Sequence, residues 1–127
     1  MPGTAFARPP CPCGTGRPYD GCCGPLHAGA AQADGPEPLM RSRYAAYAVG
    51  DVGYLVRTWH PRTRPADLDL DPATRWTGLV VHASGPDWVE FTASWTDGAA
   101  AGALHERSRF AVRGGRWVYV DGETSAG

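Results

Sequence analysis

Apolar positions along this chain follow one period up to about residue 60 and another from about residue 76. From Pro36 they recur as on a helix: Met40, Tyr44, Tyr47 and Ala48 stand at i, i+4, i+7 and i+8. Pro36 and Pro38 suit a first helical turn, and Glu37 sits where the helix dipole is positive. Gly50 ends that helix. Asp51 is placed to cap a second, in which Val52, Leu55, Val56 and Trp59 recur at i, i+3, i+4 and i+7 before Pro61 stops it. The two predict a helical hairpin.

After a turn capped by Asp71, the period becomes two. Trp76–Ala83, Trp88–Trp95, Ala103–Val112 and Trp117–Asp121 read as strands, separated by Ser84-Gly85-Pro86, Asp97-Gly98 and Gly114-Gly115. Four successive strands predict an antiparallel meander. A sheet this rich in Trp, Val and Phe needs one face covered, and the helical hairpin is the available cover. The predicted class is therefore α+β. No stretch approaches the ~20 uninterrupted apolar residues of a membrane helix, so no span is expected.

Alternation on the third strand puts Leu104, Glu106, Ser108 and Phe110 on one face and His105, Arg107 and Arg109 on the other. Leu104 and Phe110 direct the first face inward. Glu106 then becomes an inward carboxylate, expected to pair with Arg41 or Arg43 unless it serves as a general acid or base. Glu90 is a candidate partner for the outer face. Tyr44, Tyr47, Trp59, His60, Glu106 and Ser108 form a candidate pocket for a small ligand, although aromatics at helical spacing are more often core. A Ser/His/acid arrangement is not favoured, because Ser108 lies mid-strand and His105 and Glu106 face opposite ways.

The chemistry is concentrated at the other end. All four cysteines fall within thirteen residues, as Cys11-x-Cys13-x8-Cys22-Cys23. Cys22 and Cys23 should not bridge each other, since adjacent Cα atoms are ~3.8 Å apart, below the ~4.4–6.8 Å of bridged cysteines. Residues 1–10 show no charged segment followed by an apolar run, so a reducing, cytoplasmic setting is expected. Four thiolates can close a tetrahedral Zn²⁺ site with no open position. Gly14 and Gly16 permit the positive φ of a metal knuckle, and Pro12 stiffens the first ligand turn. The spacing does not suit a redox Cys-x-x-Cys. The fourth ligand is Cys23 or, four residues on, His27, with Arg8 and Arg17 as nearby cations.

The twelve basic residues are all arginine, against thirteen acidic, for a net charge of −1; a strongly nucleic-acid-binding chain is usually more basic. Charge is uneven, however: Arg41, Arg43, Arg57, Arg62 and Arg64 are opposed within residues 41–64 only by Asp51. An anion or RNA surface and arginines lying along helix faces both fit that run, the second better. Asp67-Leu-Asp-Leu-Asp71 is not a calcium loop, because Pro72 and Gly78 stand where such a loop needs Gly and Glu.

The segment Cys11-Pro-Cys-Gly-Thr-Gly-Arg-Pro-Tyr-Asp-Gly-Cys22-Cys23 resembles the SEC-C motif, a small zinc module. That resemblance implies ligation by the final adjacent pair, hence by Cys23, and a zinc-stabilised hairpin used for contacts with other macromolecules. Met40-Arg-Ser-Arg-Tyr44-Ala-Ala-Tyr47, Thr58-Trp59-His60-Pro61, Leu104-His-Glu-Arg-Ser-Arg-Phe110 and Gly115-Arg-Trp-Val-Tyr-Val-Asp121-Gly122 are similar to the YchJ family. This family joins a SEC-C module to a nuclear-transport-factor-2-like cone of helices against a bent antiparallel sheet. It implies no established reaction. Two pieces are expected, a module at 1–33 and a cone at 34–127, joined through the small-residue stretch 28–35 with few contacts crossing it. Two functional readings follow: a zinc-stabilised module that contacts a protein partner, with nucleic acid less favoured, and a small-molecule binder or enzyme working in the cone pocket.

Overall fold

The helical hairpin stands ahead of the sheet as predicted. In the structure, a computed structural model that describes residues 9–125, α1 is one turn (Gly24–His27), α2 spans Pro36–Val49 and α3 spans Val52–Arg57. Gly50 ends α2 at φ +81°, where its N–H donates to Ala46 O at 2.8 Å; a residue with a Cβ would be strained there. Asp51 caps α3 by accepting from Tyr54 N–H at 3.0 Å. Met40 and Tyr44 are buried as expected, but Ala48 is exposed, because the last residues of α2 all stand in solvent. The predicted second-helix stripe also shifts: Tyr54 and Leu55 are buried, while Val56 and Trp59 are only half-buried.

Strands β1 (Arg75–Ser84), β2 (Trp88–Thr96), β3 (Ala101–Arg113) and β4 (Arg116–Ser125) form an antiparallel sheet in chain order. Gly114 and Gly115, at φ +60° and +77°, make the two-residue β3–β4 turn whose twist matches its strands. Register fixes which side chains share the inner face: Val89 lies opposite Ser108, Phe91 opposite Glu106 and Ala93 opposite Leu104. The β3–β4 turn sets Phe110 opposite Tyr119, and a bulge between Arg109 and Phe110 then shifts the pairing so that Ser108 lies opposite Gly122. Leu39, Met40 and Tyr44 of α2 pack there against Val89, Phe91, Ala93 and Phe110. The end of the hairpin is stitched to β4, with His60 N–H donating to Tyr119 O and Tyr119 N–H to Thr58 O, both at 2.8 Å. Among the described residues no helix is long and apolar enough to cross a membrane.

The sequence predicts few contacts across the stretch 28–35, but hydrogen bonds and packing join the two ends. Cys11, Cys13 and Cys23 pack on Ala45 of α2. Buried His27 donates from Nε2 to Ser42 O at 2.8 Å, which leaves Nδ1 to accept from Tyr19 OH at 2.6 Å. Arg41 donates to Cys13 O at 2.8 Å, and Arg57 to His27 O at 2.6 Å. This face of α2 is made of small residues, Ser42 and Ala45, both fully buried. A search for large apolar residues at helical spacing passes over such a face.

Candidate metal centre and cone cavity

Pro10 bridges Pro18 and Cys11 N–H donates to Arg17 O, so residues 10–18 close a tight loop. Gly14 and Gly16 turn it at φ +85° and +82°, as the knuckle requires. A short 3₁₀ turn at Tyr19–Gly21 then delivers Cys22 and Cys23 to the same point. The four Sγ atoms lie within 4.8 Å of one another. Cys13 to Cys22 is 3.6 Å and Cys22 to Cys23 is 4.0 Å. A tetrahedral zinc with Zn–S bonds of ~2.3 Å sets its sulfurs about 3.8 Å apart, so this donor set fits that ion.

Without metal these thiols share protons unequally. The hydrogen bond from Cys23 lowers the Cys13 thiol to about 4. Cys23 is pushed up by the same bond and by burial, and Cys11 is pushed up mainly by burial. A divalent cation replaces the protons that hold such a cluster together. Thr15 Oγ1 lies 3.2 Å from Cys22 Sγ, and Arg17 reaches the same sulfur at 3.7 Å. Arg8 lies outside the described residues. His27, the alternative fourth ligand, has both ring nitrogens engaged away from the thiols.

A cavity of about 310 Å³ lies between α2 and the inner face of the sheet. Tyr44, Tyr47, Trp59, Glu106 and Ser108 line it as the sequence suggests, joined by Tyr119. His60 does not, since it sits past Trp59, where its Nδ1 accepts from Arg62 N–H at 3.1 Å. Glu106 points inward, but its expected pairing with Arg41 or Arg43 is not made. Among the described residues no arginine lies within ion-pair distance of it. Its Oε2 instead accepts from Ser108 Oγ and, at 3.1 Å, from Tyr119 OH.

Helix geometry explains the difference. Arg41 turns outward to Glu37 at 3.1 Å and to the cysteine loop. Arg43 is buried and donates to Leu55 O at 2.9 Å and Thr58 Oγ1 at 2.7 Å, with its guanidinium over Trp59 and Tyr119. It bolts the helical hairpin together, so its charge is spent on carbonyl and ring partners. Tyr119 is pushed up by burial and by the Glu106 charge, and stays a protonated donor. Sequence reasoning missed Tyr119, although the hairpin register places it opposite inward-facing Phe110; the alternation Val118-Tyr119-Val120 was the available signal. Trp59 Nε1 is buried and unpartnered among the described residues. The outer face behaves as predicted, with His105 Nε2 2.8 Å from Glu90.

Residues 35–122 match the family model described as YchJ, middle NTF2-like domain. A UPF0225 protein of Streptomyces coelicolor is 54% identical over 124 residues, covering 91% of this chain and 95% of the relative. One from Deinococcus radiodurans is 55% identical over 114 residues, covering 88% and 87%. The solution structure of a SEC-C motif containing protein from Rhodopseudomonas palustris superposes with a TM-score of 0.71 at 38% identity, covering 92% of this chain and 99% of that one. The crystal structure of a SEC-C motif containing protein from Psychrobacter arcticus gives 0.75 at 27% identity, covering 97% and 86%.

Proposed function

Because this chain belongs to the YchJ family, we propose that it is a zinc-binding protein whose ion is structural and whose metal-clamped N-terminal module contacts another macromolecule, a protein before a nucleic acid. Cys11, Cys13, Cys22 and Cys23 are the ligands. The observation that carries this reading is the convergence of four Sγ atoms within 4.8 Å, which fills a tetrahedron and leaves no position for a substrate water. Free thiolates of this kind suit a reducing cytoplasm. Loop residues 14–17 are exposed, so the module keeps an outward face beside its ligands. Elemental analysis of purified protein tests the metal: one zinc per chain is expected, lost in Cys13→Ser and retained in His27→Ala. A metal-free preparation with an ordered cysteine loop would overturn it.

A second reading is favoured by the cavity. It is open space of about 310 Å³ containing a carboxylate that makes no ion pair among the described residues, although the Arg43 guanidinium also lines the cavity, an arrangement that suits a donor-bearing small molecule. It lacks His60, so the acid–base chemistry for an enzyme is thin. A thermal-shift screen of small amines and amides separates the readings: ligands that stabilise the wild type but not Glu106→Gln support the cavity.

A further inference from the structure

A second groove, of about 320 Å³, lies between the end of α3 with its following loop and the β3–β4 hairpin. Arg57, Arg64, Arg113 and Arg116 line it, and no carboxylate lines it with them. The chain neutralises two arginines outside the groove with its own acids: Arg109 forms a two-point pair with Asp121, and Arg41 pairs with Glu37. At the groove it does the opposite. Arg113 and Arg116 are direct cross-strand partners at the end of the hairpin, an arrangement that like charges disfavour. Both are exposed, and neither side chain has a hydrogen-bond or ion-pair partner among the described residues.

The facing wall is already ordered. Arg57 donates to His27 O at 2.6 Å with its guanidinium 4.7 Å over the Tyr54 ring, and Arg64 donates to Val56 O at 3.1 Å. Each guanidinium carries five N–H donors, so these bonds leave others free. Trp117 adds an apolar surface to the same groove.

We propose that this groove binds a small phosphate-bearing polyanion of the diphosphate class. Guanidinium forks match phosphate oxygens two at a time, and four of them on facing walls suit more than two negative charges in a compact ligand. The chain as a whole offers a long polyanion little, since its net charge is −1 even with these four arginines counted. Bound phosphate relieves the Arg113–Arg116 repulsion, which accounts for a pair that is otherwise unfavourable.

The test is calorimetric titration of the full zinc-loaded chain with inorganic pyrophosphate, with zinc content measured before and after. Arg113→Ser and Arg116→Ser, at exposed hairpin positions, are expected to keep the melting temperature and each weaken binding about tenfold. Arg75→Ser, an exposed arginine outside the groove, is expected to leave affinity within about twofold, the small effect of a distant exposed charge. Absence of saturable pyrophosphate binding, or equal losses in Arg75→Ser, overturns the proposal. So does single-stranded RNA binding more tightly than pyrophosphate through the same arginines, which would make the groove a nucleic-acid surface.

Discussion

The cysteine loop and the sheet are held by opposite means. The sheet's inner face buries Val89, Phe91, Ala93 and Phe110 against Leu39, Met40 and Tyr44, and a core of that kind draws its stability from apolar area. The loop has no such residues; its buried cluster is Cys11, Cys13 and Cys23 against Ala45. Its order rests on directional bonds to α2 and, under the proposed function, on coordination. If the loop is held by coordination, chemistry that removes the metal should loosen it and leave the sheet untouched.

Metal removal is the sharpest way to break the comparison. Chelation, or Cys13→Ser, is expected to melt residues 9–27 while the sheet persists. Amide exchange should then rise in the loop and stay slow in β2 and β3. Simultaneous loss of both would make them one unit.

Cutting the chain comes next. Residues 34–127 alone are expected to fold but to melt well below the full chain, since Ser42 O loses His27, Ala45 loses the cysteines, and the Ala46, Tyr54 and Leu55 cluster loses Leu26. Equal melting temperatures would show that the interface contributes nothing. His27→Ala isolates one part of that interface: it leaves a buried carbonyl and a tyrosine hydroxyl unsatisfied and should cost about 2–4 kcal/mol with zinc retained.

The cone side responds to shape more than to charge. A Cβ at Gly122 would collide with the Glu106 carboxylate, so Gly122→Ala should cost about 1–3 kcal/mol by overpacking and disturb the Ser108 and Tyr119 bonds. Glu106→Gln keeps an acceptor for both hydroxyls and should change stability by less than about 1 kcal/mol in thermal melts. A larger loss would mean that the carboxylate charge itself stabilises the buried Arg43 at a distance.

Local rules carried the sequence reading far. Cysteine spacing placed four sulfurs together, Gly50 and Asp51 set the hairpin bend, and alternation turned Glu106 inward. What could not be read depends on how elements cross. Arg43 and Glu106 both face the interior, yet the angle of α2 hands Arg43 to Leu55 and Thr58. His60 follows Trp59 directly but leaves the cavity because the chain pairs with β4 at that point. The contacts across residues 28–35 involve backbone carbonyls and small side chains, which carry no hydrophobic signal.

The stitch between the hairpin's end and Tyr119 has a consequence for how copies of this chain meet. β4 is the last strand of an open sheet, and a bare last strand is a template on which another molecule can add its own. Here the outward-facing N–H and C=O of Tyr119 are both occupied by Thr58 and His60. A neighbouring chain meets an interrupted ladder at Tyr119, so the same two hydrogen bonds that join helix to sheet also blunt this edge as a template for a further strand.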